Sequence, residues 1–332
     1  MISKFFELIV ALRNLYYDNT KNSFSSQIPV ISIGNISTGG TGKTPTCIYI
    51  CSQLIKYGFE PICIGRNVNS SDFNTIYSDP ISPKNSKIIG DELALIQSKV
   101  NIPILSTFSK VKAALEYEEY FLTQFKNPLY VIDDGFQHRA LRRNIDVVLI
   151  DKESIQDSLL PFGRNREKLQ SLQRADIVLN FSGDENTSLL KKYCKNVFVA
   201  SKKKETAYPI VDLKVEENSL KPLQKVFVLS SIAKPKQFIE NLQLEYTICG
   251  SIEFKDHYFY SISDIEKIGN DFTISGADSI VTTEKDLVKL ELFPDFCGNY
   301  PIHILPISLQ IDNEVDFLQL IYKLLHNENS VL

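Results

Sequence analysis

Residues 30 to 46, VISIGNISTGGTGKTPT, hold the densest set of side chains able to do chemistry. Gly39, Gly40 and Gly42 let the backbone bend tightly and aim its N–H groups at an anion. A helix opening at Lys43-Thr44 adds its partial positive charge at the same point. Lys43 reaches the β- and γ-phosphates of a nucleoside triphosphate in such a loop, and the Thr44 hydroxyl faces Mg²⁺. Pro45 is tolerated because the first helical turn needs no intrahelical N–H donor. Ser37, Thr38, Gly39, Gly40, Thr41, Gly42, Lys43 and Thr44 are therefore the expected nucleotide cradle. The usual pattern GxxxxGK[ST] begins with glycine where this chain has Ser37. The reading rests on the context: strand, glycine-rich turn, Lys-Thr, helix.

The elements that must position this loop follow in order. Val30 to Ile33 read as a buried strand, and the helix after the loop runs towards Tyr57. Pro61 to Ile64 make a second strand ending at Gly65-Arg66-Asn67, and residues 67 to 86 an exposed loop. A helix starts at Gly90-Asp91-Glu92 and runs to about Lys99, a strand spans 102 to 105, and another helix 110 to 125. The strand Pro128 to Ile132 ends in Asp133-Asp134-Gly135-Phe136-Gln137-His138. An acidic residue at the C-terminal end of a buried strand is where a P-loop enzyme places its Mg²⁺-side carboxylate. Strands at 146–150 and 175–180 complete the series, which predicts a P-loop NTPase-type parallel sheet with crossover helices. Between them, Arg164, Arg166, Lys168 and Arg174 crowd together, either to bind an anion or as a solvated face. Residues Ser201 to Glu205 read as a linker. Beyond it, strands are expected at 208–215, 225–229, 245–249, 279–283 and 302–305, with helices near 234–242, 262–272, 284–292 and 314–326. That makes a second, smaller α/β domain without a phosphate loop. The expected division is 1–20, an amphipathic helix; 21–205, the P-loop domain; and 206–332, the smaller domain.

Length and composition agree. A chain of 332 residues with 43% apolar and 23% charged residues suits two ordinary globular domains. A net charge of -4 gives no general reason to expect nucleic acid. Six cysteines without a C-x-x-C pair read as thiols of a reducing compartment. No apolar run is long enough to span a bilayer, and the start lacks a secretory signal. Residues 2 to 17 place Ile2, Phe5, Phe6, Ile9, Leu12 and Tyr16 on one helical stripe. Such a helix either packs on the body of the protein or lies in a membrane interface.

The motifs VISIGNISTGGTGKTP, GDE (90–92), VIDDGFQH (131–138), LPFGRNRE (160–167), RAD (174–176), SIAKPKQF (231–238), FKDHYFYS (254–261) and TTEKD (282–286) occur in this order. Together they resemble the tetraacyldisaccharide 4'-kinase family, the LpxK enzymes of lipid A synthesis, over nearly the whole chain. DDGFQH is the most specific of them, and serine at the loop's first position is normal for that family. The resemblance implies transfer of the ATP γ-phosphate to the 4'-hydroxyl of tetraacyldisaccharide 1-phosphate, giving lipid IVA. It also implies a peripheral enzyme on the cytoplasmic side of the bacterial inner membrane, reached through the N-terminal helix, with no obligate protein partner.

The resemblance assigns roles residue by residue. A sugar hydroxyl needs a base to accept its proton, and the family motif places that role on Asp91, with His257 as its partner, orienting the carboxylate or tuning its basicity. Lys43 stabilises charge on the transferring group. Thr44 and Asp133, with Glu92, are the expected Mg²⁺ side, and Asp134, Gln137 and His138 support it. Asp91 and His257 fall on opposite sides of the expected domain boundary, which predicts a site in a cleft assembled by closure. The chain departs from the family at Gly65-Arg66-Asn67-Val68 (usually SRGY), at Leu93 (usually proline) and at Tyr258 (often a second histidine). A switch ATPase or GTPase is the main rival. Against it, Thr38 stands where the signature lysine would be, and Phe181-Ser182-Gly183 follows Asn180 where an N-K-x-D motif would fall.

Overall fold

A computed structural model describes residues 2–19, 22–66, 74–210 and 224–327. Its strands are β1 (Val30–Asn35), β2 (Glu60–Arg66), β3 (Ile76–Ser78), β4 (Ile104–Thr107), β5 (Pro128–Asp133), β6 (Ile145–Asp151) and β7 (Ile177–Phe181). The series continues with β8 (Val197–Lys204), β9 (Tyr208–Pro209), β10 (Lys225–Ser230), β11 (Thr247–Glu253), β12 (Ser279–Thr283), β13 (Ile302–Leu305) and β14 (Ile307–Ile311). The helices are α1 (Ile2–Asp18), α2 (Lys43–Lys56), α3 (Ser86–Ile89), α4 (Asp91–Val100), α5 (Lys110–Gln124) and α6 (Lys152–Gln156). After them come α7 (Thr187–Leu190), α8 (Pro235–Gln243), α9 (Ile262–Ser275), α10 (Glu284–Leu290), α11 (Pro294–Asn299) and α12 (Glu314–Asn327). The chain divides into two compact units. The first comprises residues 1–84, 96–203 and 309–332, the second residues 85–95 and 204–308.

The first unit is built on a nine-stranded sheet in the order β14-β8-β7-β6-β1-β5-β2-β4-β3. β1 sits between β5 and β6, parallel to both, and all six of its residues are buried. Buried on both faces, it reads in sequence as a continuous apolar run rather than an alternation. The register sets Ile33 beside Asp133, so the loop leaving β1 and the turn leaving β5 emerge next to each other. Gly34 makes that closeness possible: a Cβ there would lie 2.7 Å from both the Cβ and the backbone nitrogen of Phe136. α2 buries Cys47, Ile50, Cys51 and Leu54, the i, i+3, i+4, i+7 stripe of an amphipathic helix. On the other side of the sheet's centre, Phe121 of α5 packs edge-on against Tyr130 of β5, with ring centroids 6.1 Å apart.

The second unit holds a five-stranded sheet, β11-β10-β12-β13-β9, parallel except for the β13–β9 pair. α9 closes one face with Ile265, Ile268 and Phe272, and starts at a capping box formed by Ser261 and Asp264. Tyr258, where the family often has histidine, stacks on Phe254 at 4.8 Å and donates to Asp264 Oδ2 at 3.0 Å. It supports the start of α9.

Three expectations change. Residues Ser201 to Lys204 are not a linker but the end of β8, which lies between β7 and β14. Their side chains are mostly exposed, so this strand end carries a polar sequence while its backbone still pairs. The division at residue 205 misses two exchanges: residues 309–332, with α12, belong to the first unit, and residues 85–95 to the second. α12 joins the first unit because Phe317 packs against Tyr49 of α2 and Phe198 of β8. Expected strand 208–215 is seen only as Tyr208–Pro209, and its residues from 211 on lie outside the described residues, as do Asn67 and Val68.

Candidate active site

In the first unit, the loop between β1 and α2 is held from beneath and from the side. Gly39 and Gly42 have φ of 102° and 108°, the left-handed region that a side chain would strain. Asn35, fully buried, donates to the Thr41 hydroxyl at 2.8 Å, which fixes the loop's far arm. The loop's near arm is pinned by residues 154–166. Ser154 meets the Ser37 hydroxyl at 2.9 Å, and the Thr38 N–H donates to the Arg164 carbonyl at 2.8 Å. Lys43 and Thr44 stand at the head of α2, which has the fourteen residues needed for a substantial N-terminal field. Lys202 of β8 lies over the same loop and donates to the Gly40 carbonyl at 3.2 Å.

The turn after β5 brings the acidic pair to this loop. Asp134 has a φ of 50°, a left-handed conformation that Asp tolerates. Its carboxylate receives a bidentate pair from Arg166, at 2.9 and 2.7 Å, and lies 3.6 Å from Lys43 Nζ. Burial pushes the Asp134 carboxyl up, but Arg166, Lys43 and Lys110 outweigh it and hold it well below the usual carboxylate range. Asp133 is buried, with Cys47 Sγ 3.6 Å from its Oδ1. Lys110, at the start of α5, is itself buried and donates to the backbone carbonyls of both Asp133 and Asp134. Gln137 donates to the Asn35 carbonyl at 2.9 Å and to Glu167 at 3.2 Å. His138 stands exposed on the same turn. Arg166 thus resolves the open reading of the basic cluster: it belongs to the loop's acidic partner. Arg174 does not reach this loop; it pairs with buried Glu167 at 3.0 Å.

The second unit carries Asp91 and His257. Asp91 opens α4 and is 4% exposed. His257 Nδ1 lies 2.9 Å from its Oδ1 and 3.2 Å from its Oδ2, and the Glu92 N–H donates to Oδ1 at 3.0 Å. His257 adopts a φ of 60°, an unusual conformation for histidine that places its ring on Asp91. Lys285, near the start of α10, completes the cluster, 3.7 Å from Asp91, 3.3 Å from Glu92 and 3.2 Å from Asp256. Burial alone would raise the Asp91 carboxyl. The hydrogen bond with His257 and the charges of Lys285, His257 and Lys289 reverse this and bring it down to about 2. His257 moves the other way, raised by its bond to Asp91 against the effects of burial and Lys285.

This geometry corrects one premise. Asp91 and His257 are not on different domains, because residues 85–95 fold into the second unit, where the Ser86 hydroxyl donates to the Val288 carbonyl at 2.6 Å. The pair is built within that unit alone. Glu92, expected on the metal side, gives its carboxylate to Lys285. Lys285 lay inside the TTEKD motif without a role, and Lys110 gave no signal beyond a lysine at a helix start. A buried lysine is legible only once its neighbours are known.

α1 presents its polar face inward and its apolar face outward. Arg13 and Asn14 reach Glu167 at 3.2 and 3.0 Å, and Arg139 donates to Asp18 at 2.8 Å. Leu8, Ile9, Leu12, Leu15 and Tyr16 are each about half or more exposed. The reading of this stripe as a packed face therefore fails for Ile9, Leu12 and Tyr16, while Phe6 is half-buried. No helix among the described residues is long and apolar enough to cross a membrane.

Comparison with known proteins agrees with this arrangement. A family model described as tetraacyldisaccharide-1-P 4'-kinase, LpxK, matches residues 1–326. The chain is 31% identical to a tetraacyldisaccharide 4'-kinase of Bdellovibrio bacteriovorus, over 89% of each chain. It is 31% identical to that of Psychromonas ingrahamii, over 86% of this chain and 83% of the other. Among solved structures, LpxK from Aquifex aeolicus in complex with ATP superposes with a TM-score of 0.76 at 25% identity, covering 97% of both chains. With residues 1–326 matched by the family model, and with a phosphate loop and a carboxylate–histidine pair formed from its motifs, the chain belongs to the tetraacyldisaccharide 4'-kinase family.

Proposed function

We propose that this protein transfers the γ-phosphate of ATP to the 4'-hydroxyl of a tetraacyldisaccharide 1-phosphate. The observation that carries this reading is the Asp91–His257 pair at 2.9 Å. A phosphate loop alone serves hydrolases and switches as well as kinases. A buried carboxylate braced by a histidine supplies what an alcohol acceptor requires, a fixed site for its proton.

The steps follow from the residues. Backbone N–H groups of residues 39–44 and the head of α2 take up the β- and γ-phosphates, with Lys43 turning from Asp134 towards them. The acceptor oxygen forms a bond to the γ-phosphorus as the bond to the β–γ bridging oxygen breaks and ADP leaves. The hydroxyl proton passes to Asp91, which His257 holds in orientation. The Thr44 hydroxyl and the Asp133 carboxylate are hard oxygen donors of the kind Mg²⁺ prefers, and Gln137 Oε1, buried on the same turn and without a hydrogen-bond partner among the described residues, is a further oxygen acceptor there. Mg²⁺ held there would neutralise charge on the phosphates. Leu8, Ile9, Leu12, Leu15 and Tyr16 on the outward face of α1 support a peripheral association with the cytoplasmic face of the inner membrane, where an acylated substrate resides.

The test is transfer of label from γ-labelled ATP to tetraacyldisaccharide 1-phosphate in detergent micelles, with Mg²⁺ and with chelator. Mg²⁺-dependent labelled lipid, lost in Asp91→Ala, is the expected result. ATP hydrolysis without labelled lipid for any acceptor offered would refute the kinase reading.

A further inference from the structure

We propose that Lys285 is a positioning residue that fixes the tautomer of His257, placing the ring proton on Nδ1 so that histidine donates to Asp91. The proposal rests on the reading of Asp91 as the proton acceptor and extends it to a side chain that no part of that reading uses.

The geometry is a chain of three groups within the second unit. Lys285 Nζ lies 3.4 Å from His257 Nε2, and His257 Nδ1 lies 2.9 Å from Asp91 Oδ1. An ammonium has three donors and no acceptor. Its contact with Nε2 is favourable only when that nitrogen offers a lone pair. In neutral imidazole the proton then resides on Nδ1, where Asp91 accepts it. The competing acceptor at Nε2 is Asp256, whose Oδ2 lies 3.6 Å away, beyond hydrogen-bond distance. Lys285 also occupies Asp256, through Oδ1 at 3.2 Å, and so weakens its pull on an Nε2 proton. Lys285 is mostly buried, and three carboxylates hold its charge: Glu92, Asp91 and Asp256.

The consequence for the reaction concerns which oxygen is open. Asp91 Oδ1 accepts from His257 and from the Glu92 N–H. Oδ2 has the longer contacts, 3.2 Å to His257 and 3.7 Å to Lys285, and is the oxygen positioned to receive the acceptor's proton. With Nδ1 already protonated, His257 orients Asp91 and is not itself the acceptor. The alternative tautomer would turn a lone pair towards the carboxylate and release Asp91 from its brace.

The chain has four histidines, so ring-¹⁵N labelling of the full-length protein gives few signals, and the His257→Gln variant identifies those of His257. Long-range ¹H–¹⁵N correlation above the histidine's titration range distinguishes a protonated from an unprotonated ring nitrogen without substrate or turnover. The expected result is protonated Nδ1 in the wild type and in Lys285→Arg, which keeps a donor-only cation, with a shift towards protonated Nε2 in Lys285→Met. In the transfer assay Lys285→Met should lower kcat by about tenfold to a hundredfold, short of the 10²–10⁴ a general base supplies, and Lys285→Arg should recover part of it. A wild-type His257 protonated on Nε2 would overturn the proposal, whether or not Lys285→Met folds. An unchanged tautomer in folded Lys285→Met would overturn it too. Failure of lipid phosphorylation with the Nδ1 tautomer present would instead refute the kinase reading.

Discussion

Asp286→Ala is a severe test of what holds the second unit around its Asp91–His257 pair. Asp286 and Lys289 lie one turn apart on α10, both fully buried and 2.8 Å apart. Asp286 also accepts from Tyr260 and Thr283, each at 2.8 Å, and from Ser231, the residue after β10. Burial would raise its carboxyl, but Lys289, Ser231 and Thr283 hold it below the usual range. Removing it strands a buried cation without its directly paired carboxylate, a loss of about 3–5 kcal/mol for a broken buried pair. At a urea m-value of about 2 kcal/mol/M, the unfolding midpoint of this unit falls by about 2 M. Hydrogen exchange in β10 and α10 assigns the loss to this unit. Replacing both partners, Asp286→Leu with Lys289→Met, should recover most of the loss, because the desolvation of two charges disappears with their attraction. A single variant within about 0.5 kcal/mol of wild type, the scatter of ordinary surface substitutions, would refute the reasoning. So would a double variant no more stable than the single one, since uncompensated charge would then not be the cause.

Other expectations follow from the same contacts. The carboxyl of Asp91 sits at about 2 against an ordinary 3.8, so its stabilisation is present above pH 4 or so and is lost as pH falls towards 2. The loss is about 2.5 kcal/mol at about 1.4 kcal/mol per pKa unit. His257 shares that bond, and its raised value means its part is complete below its ordinary range and fades as pH rises through the raised one. Urea stability measured against pH, wild type minus Asp91→Asn, should show both limbs, and a flat difference would contradict them. Lys110→Met removes the buried ammonium that donates to the Asp133 and Asp134 carbonyls, costing about 1–3 kcal/mol, which denaturation reads. Leu12→Asp with Leu15→Asp should reduce sedimentation with phospholipid vesicles at least tenfold, by about 1.5–3 kcal/mol of apolar burial per side chain, while leaving turnover on detergent-dispersed substrate unchanged.

The sheet around β1 was legible because burial on both faces writes continuous apolar runs, and the loop because glycine, lysine and threonine have few substitutes there. The polar end of β8 was not, since backbone pairing leaves no mark on exposed side chains. Nor was the exchange of residues 85–95 into the second unit: the contact from Ser86 to Val288 joins positions 202 apart in sequence. Asp91 and His257 were found through their motifs, yet the premise that they lay on different domains depended on drawing a boundary by composition. Lys285 and Lys110 escaped for a common reason. A lysine reads as a solvated charge until its carboxylate or carbonyl partners are located in space. On α1 the helical period was legible, but its inward face is set by Glu167, a residue more than 150 positions away from Arg13 and Asn14.

A carboxylate held near 2 is a weak base for a sugar hydroxyl, and the structure lowers Asp91 further than an unpaired carboxylate would be. The two facts fit if phosphoryl transfer is loose. In a largely dissociative transition state the attacking oxygen gains little bond order before the leaving group departs, so its proton becomes acidic late. What the acceptor then needs early is direction: a fixed oxygen towards which the hydroxyl points while the reacting atoms align. Holding Asp91 between His257 and Lys285 supplies that direction at the expense of basicity. Asp134, lowered by Arg166 and Lys43, is likewise fixed as an anion beside the phosphate loop. In the proposed mechanism the two carboxylates serve by staying ionised, one as an aimed proton acceptor and the other as a counter-charge that Lys43 leaves when phosphate arrives. On this view the loss in His257→Ala should reside in kcat, because the histidine aligns the acceptor and does not bind ATP.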